Sequence, residues 1–184
     1  MSLLLSILLL LAPTTTPSAP LPTERIIQNA TLRFQFAVPK PWKEVQQQSA
    51  DVYVFQLPAT GDARRYNPSL IVTARDAKDR ALADEVDGRR DAIQKRNPDA
   101  NFIEDAAATL AGHDGWMFLY DTKVNQTVTT NGNARQEQIT VKVRDQLTIV
   151  DGRAIEFVLM SDDKGLAIRS RLIDRVTSTL SVDP

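Results

Sequence analysis

The only histidine of the chain, His113, sits beside an acid, Asp114, within AGHDGWMFLYD (111–121). A carboxylate that holds an imidazole toward a nucleophile is the arrangement of a hydrolytic triad. Neighbours on an extended chain project to opposite faces, so Asp114 is a poor orienter of His113 in a strand. In a tight turn both side chains face water. Gly112 and Gly115 flank the pair, and it reads as the exposed tip of a turn between two strands. One histidine and no cysteine also leave zinc without its usual donors.

The densest acids are Asp76, Asp79, Asp84, Glu85 and Asp87. At helical spacing they read as a solvated helix face with i,i+4 pairs such as Glu85–Arg89. Residues 97–101, NPDAN, begin like a calcium loop but lack its later glycine and glutamate. There is no P-loop, Gly-x-Gly-x-x-Gly or Gly-x-Ser-x-Gly. No residue is assigned to catalysis, cofactor binding or a metal, and the chain is read as a non-enzyme. Two carboxylates brought together by the fold could still serve a hydrolase. The candidate for recognition lies in GDARRYNP (61–68): Arg64 and Arg65 offer forked donors and Tyr66 an amphipathic ring, residue types enriched at interface hot spots.

The elements that must position these residues follow from periodicity. Leu32, Phe34, Phe36 and Val38 alternate with polar residues, a half-buried strand stopped by Pro39-Lys40-Pro41. Trp42 is expected to close the sheet over that strand's apolar face. DVYVFQL (51–57) and LIVTAR (70–75) are further strands. Asp79 is placed as the cap of a helix whose stripe is Leu82, Val86, Arg89, Ile93 and Arg96, ended by Asn97-Pro98. The stripe arginines are expected to lay their stems on the core and keep the guanidinium wet. Strands follow at 102–110, from Trp116, at 138–149 and from Ile155, with hairpin signals at Asn131-Gly132 and Asp151-Gly152. Asp145 interrupts an apolar strand face and is read as the mark of a bulge. A last helix carries Leu166, Arg169, Leu172, Ile173, Val176 and Leu180, capped by Asp162 or Asp163. The sum is an α+β domain: an antiparallel sheet of about six or seven strands with helices packed on it.

Composition sets the outer limits. The chain has 184 residues, 42% of them hydrophobic, and a formal net charge of -1. That size suits one domain, and that charge argues against a nucleic-acid partner. Leu3–Ala12, LLLSILLLLA, has the length of a signal-peptide core and is too short to span a bilayer. PTTTPSAPLP (13–22) holds four of the ten prolines, and every charged residue lies after it. The expected division is a signal peptide at 1–18, a Pro/Thr/Ser-rich tether at 19–29 and a single domain at 30–184.

The succession of these elements, with FQFAVPKPWKEV (34–45), NPSLIVTA (67–74), LAGHDGWMFLY (110–120), VDGRAIEFVLMS (150–161) and RVTSTLSV (175–182), resembles the PsbP-like fold. That fold is shared by the photosystem II extrinsic protein, a Ran-binding nuclear import factor and DcrB-like bacterial envelope proteins. An exported chain of this layout most resembles the DcrB-like members, many of them lipoproteins, although this one has no cysteine to lipidate. The resemblance implies a PsbP-like sandwich and a non-enzymatic domain that binds or scaffolds a partner protein in the cell envelope, periplasmic or secreted. A membrane would be met only through an uncleaved N-terminus. No cofactor is implied. The alternatives are a carboxylate-dependent hydrolase and a chaperone-like groove for apolar segments.

Overall fold

The computed structural model describes residues 17–45, 49, 51–58, 66–130 and 133–182. In chain order the elements are β1 (Glu24–Asn29), β2 (Phe34–Pro39), β3 (Lys43–Val45), β4 (Val52–Gln56), β5 (Ser69–Asp76), α1 (Leu82–Arg96), β6 (Asn101–Leu110), β7 (His113–Thr130), β8 (Asn133–Val150), β9 (Arg153–Ser161), α2 (Asp163–Ser178) and β10 (Ser181–Val182). They form an antiparallel seven-stranded sheet, ordered β3-β4-β5-β9-β8-β7-β6, and a three-stranded sheet, β1-β2-β10. The expected α+β class and strand number hold for the large sheet. The first alternating strand, β2, belongs to the small one.

Residues 24–29, expected within the tether, are strand β1 paired along its whole length with β2. The preceding residues also touch the domain. Ser18 N donates to Ser178 O at 2.7 Å, and Glu24 takes an ion pair from Arg175 at 2.9 Å.

The two faces of the large sheet carry different cores, because side chains alternate along every strand. One face sends Phe55, Leu70, Val72, Ile155, Phe157 and Leu159 against Phe34, Phe36 and Val38 of β2 and against Leu166, Ile173 and Val176 of α2. Phe36 sits at the centre of this layer, its ring 5.8 Å from those of both Tyr53 and Phe157. Trp42 is buried in the same cluster, as its sequence context suggests. The other face packs Phe118, Val141, Val143, Leu147 and Val158 under α1, which contributes Val86 and Ile93. Leu172, expected on the buried stripe of α2, is 39% exposed.

Turn chemistry sets the register. Ala111 and Gly112, with φ of 50° and 87°, connect β6 to β7, and Leu110 pairs with His113. His113 and Asp114 therefore open the strand and do not form the turn tip. Gly115 lies inside β7, where a Cβ would stand 2.5 Å from Leu110 Cδ1 and 2.7 Å from Leu147 O. It permits a close approach and has no part in the turn. Asp151 and Gly152, both at positive φ, join β8 to β9 as expected. Thr130 pairs with Asn133, leaving Asn131 and Gly132, outside the described residues, between the strands.

No bulge marks Asp145: β8 keeps an unbroken register with β7 and β9 on either side of it. The register shift lies in β6, between Phe102 and Glu104. Beyond Asp121 and Lys142, β7 and β8 outrun both neighbours and continue as a two-stranded arm.

Candidate functional site

Three elements converge under α1. β5, β9 and β8 carry Thr73, Glu156 and Asp145 on one face of the large sheet. Glu156 stands opposite Thr73 on one side and Leu147 on the other, and Asp145 pairs with Val158, so the two acids are diagonal neighbours on adjacent strands. Helix α1 crosses above them. Its first turn holds Asp84 and Glu85 and its last Lys95 and Arg96, the polarity that a helix dipole favours. The helix begins after Ala81, with no side-chain cap, so Asp79 does not serve as one.

Arg89, on the stripe with Val86 and Ile93, points inward. Its Nε donates to Asp145 Oδ2 at 2.7 Å, and Nη2 contacts both Asp145 and Glu156. Glu156 Oε2 accepts from Thr73 Oγ1 at 3.1 Å. Asp145 is fully buried at 0% exposure. Here the expectation of a wet guanidinium fails, because a buried carboxylate recruits the nearest cation of the helix. Glu85 departs from expectation in the same way. It is 2% exposed, and its partners are Arg75, at 2.9 Å, and Arg80, at 3.1 Å, in place of Arg89.

The electrostatics follow from one cation held between a buried carboxyl, Asp145, and a half-buried one, Glu156. Burial pushes the Asp145 carboxyl well above the usual aspartate range; the charge of Glu156 adds to this and Arg89 opposes it. Asp145 Oδ1 and Glu156 Oε1 are both buried and lack a well-directed donor among the described residues. With its proton retained, the Asp145 carboxyl can donate a hydrogen bond to the Glu156 carboxylate, which leaves the cluster of Asp145, Glu156 and Arg89 neutral. Burial also raises Tyr120, with Asp145 contributing, so its hydroxyl stays protonated. Glu85, by contrast, is held below the ordinary glutamate value by its hydrogen bond from Arg75.

Between α1 and the sheet lies a pocket of about 550 Å³. Ile71, Val143, Val158 and Met160 give it an apolar floor, and Arg75, Arg80, Arg89 and Arg96 line its walls with Glu85, Glu156 and Tyr120. Gly88 also lines it, and a Cβ at that position would meet nothing within 4 Å.

The recognition loop is only partly described. Arg64 and Arg65 lie outside the described residues. Tyr66 is half-buried, its hydroxyl donating to Sδ of Met160, in the pocket floor, at 3.9 Å. The chain entering the loop is also anchored: Arg169, 3% exposed in α2, donates to Pro58 O at 2.5 Å, and Leu57 N donates to Pro68 O at 3.0 Å.

No family model and no curated protein matches the sequence. The architecture does have counterparts. The solution structure of cyanobacterial PsbP from Synechocystis sp. PCC 6803 superposes with a TM-score of 0.59 at 16% identity, covering 89% of this chain and 95% of that one. The chain has the PsbP-like fold. Two further structures share it. The Ran-binding protein Mog1p of Saccharomyces cerevisiae gives a TM-score of 0.55 at 11% identity, over 86% of this chain and 95% of its own. LpqN, involved in cell envelope biogenesis of Mycobacterium tuberculosis, gives 0.53 at 17% identity, over 88% and 91%. In this PsbP-like chain, the cluster under α1 was missed from sequence although both of its signals were present. Arg89 is a charge between apolar Val86 and Ile93 on the helix stripe and Asp145 a charge between Val143 and Leu147 on the strand face, and read together they call for one another.

Proposed function

We propose that this chain is a non-enzymatic binding domain that contacts a partner protein in the cell envelope, after export directed by its apolar N-terminal segment. The observation that carries the non-enzymatic reading is the state of the acid pair. Asp145 and Glu156 do converge at a pocket, the first requirement of a carboxylate hydrolase. The second requirement is an acid free to exchange a proton with a substrate. Asp145 is wholly buried, and both acids are ion-paired to Arg89. The arrangement closes a charge cluster; it does not expose one.

The fold supports the same reading by analogy, since its neighbours include a Ran-binding protein and a protein of cell envelope biogenesis. Within the PsbP-like fold, a role like that of the DcrB-like envelope proteins is the reading we favour. A chaperone-like groove finds less support. Helices and the small sheet lie on both faces of the large sheet, and the exposed large apolar residues Leu21, Ile26, Val45, Ile103, Ile168 and Leu172 are spread over five segments. Among the described residues no helix is long and apolar enough to cross a membrane.

We place the protein contact on the loop carrying Arg64, Arg65 and Tyr66. Its ends are pinned to the core through Pro58, Leu57 and Tyr66, which lets a loop present side chains from a fixed base. The test is affinity capture from envelope fractions with the native chain and with an Arg64→Ala/Arg65→Ala/Tyr66→Ala variant. A partner retained by the native chain and lost by the variant is the expected outcome. Identical partner lists would remove the loop from the account.

A further inference from the structure

We infer that the pocket between α1 and the large sheet binds a small amphipathic anion, an acid head with an apolar body. This is independent of the protein contact proposed above. Charge is the first ground. Four arginines and two glutamates line the pocket, in a chain whose formal net charge is -1. Arg89 is committed to Asp145 and Glu156. Arg75 and Arg80 share the single carboxylate of Glu85, which leaves an excess of positive charge at that end. Arg96, at the other end beside Asn97 and Tyr120, has no ion pair among the described residues. Low-dielectric walls focus such an excess onto whatever enters.

The floor is the second ground. Ile71 pairs with Val158 and Met160 with Val143, in two adjacent rows on one face of β5, β9 and β8, and all four side chains line the pocket beneath the charged rim. An apolar floor under a few placed donors is the usual build of a small-molecule site, and about 550 Å³ is within the usual range for one. Inorganic ions alone would leave that floor unused.

Gly88 is the third ground. A glycine inside a helix costs roughly 1 kcal/mol relative to alanine. Nothing in the packing asks for one here, because a side chain would extend into open space. What the missing side chain provides is the opening of the pocket.

Calorimetric titration of the full chain with decanoate, decyl phosphate and decyltrimethylammonium tests the inference. At least one of the two anions should bind in a 1:1 ratio and the cation should not; whichever anion is preferred identifies the head group as carboxylate or phosphate. Gly88→Leu should weaken that binding at least tenfold while leaving the melting temperature equal or higher, so that loss of the site is not loss of the fold. Arg96→Gln should weaken it with the fold intact. Failure of both anions to bind would overturn the proposal. So would equal binding of the cation, or anion binding indifferent to Gly88→Leu.

Discussion

At the scale of single residues, the strongest feature is a charge placed where hydrophobic burial forbids an unpaired one. Asp145 stands between Val143 and Leu147 on a strand face that is otherwise apolar from Ile139 to Ile149. Its carboxyl titrates above the ordinary range because burial disfavours the anion. A folded state that binds the proton more tightly than the unfolded chain loses stability as pH rises above the ordinary aspartate value of about 4. Glu85, Asp105 and Glu24 act in the opposite sense. Hydrogen bonds from Arg75, Arg90 and Arg175 hold them low, so they add stability above their unfolded values and lose it as pH falls toward strong acid. Stability measured by urea unfolding across pH should therefore climb out of the acid limb and then decline. Asp145→Asn should keep the climb and abolish the part of the decline due to this group. Curves of the same shape for both proteins would contradict the raised carboxyl.

Elements were legible where local chemistry decides them, and illegible where distant chain decides them. The strands alternate with period two, α2 has its Asp162 cap on Gly165 N at 2.6 Å, and Asp151-Gly152 turns where a hairpin must. β1 and β10 were missed because ERIIQN and SV carry little pattern of their own and become strands only by pairing with β2. The turn before β7 was displaced for a related reason. Gly112 and Gly115 are equivalent as letters, yet one supplies a positive φ and the other a place for Leu110 and the Leu147 carbonyl to approach. Gly115→Ala should accordingly destabilise by about 2 kcal/mol, since the added methyl meets backbone that cannot move aside. Thermal or denaturant unfolding reads this directly, and a change under about half a kcal/mol would show that β7 has room to shift.

On the scale of the whole molecule, one sheet separates two cores of different character. The layer shared with β2 and α2 is aromatic and aliphatic, whereas α1 is held by few apolar contacts and many ionic ones: Glu85 to Arg75 and Arg80, Arg89 to Asp145 and Glu156, and Arg90 to Asp105 at 2.7 Å. The α1 side of the sheet thus carries the pocket of about 550 Å³, and the chain that brings Arg64, Arg65 and Tyr66 returns to the body at Met160 on that pocket's floor. Contact with a protein in the envelope is the central claim. Its most direct test is site-specific photo-crosslinking in intact cells, with the reactive residue in place of Arg65 and, as a control at the exposed start of β7, in place of Asp114. The account predicts one dominant protein adduct from position 65 that fractionates with the envelope and is absent from position 114. No adduct at position 65, or the same adducts from both positions, would contradict it.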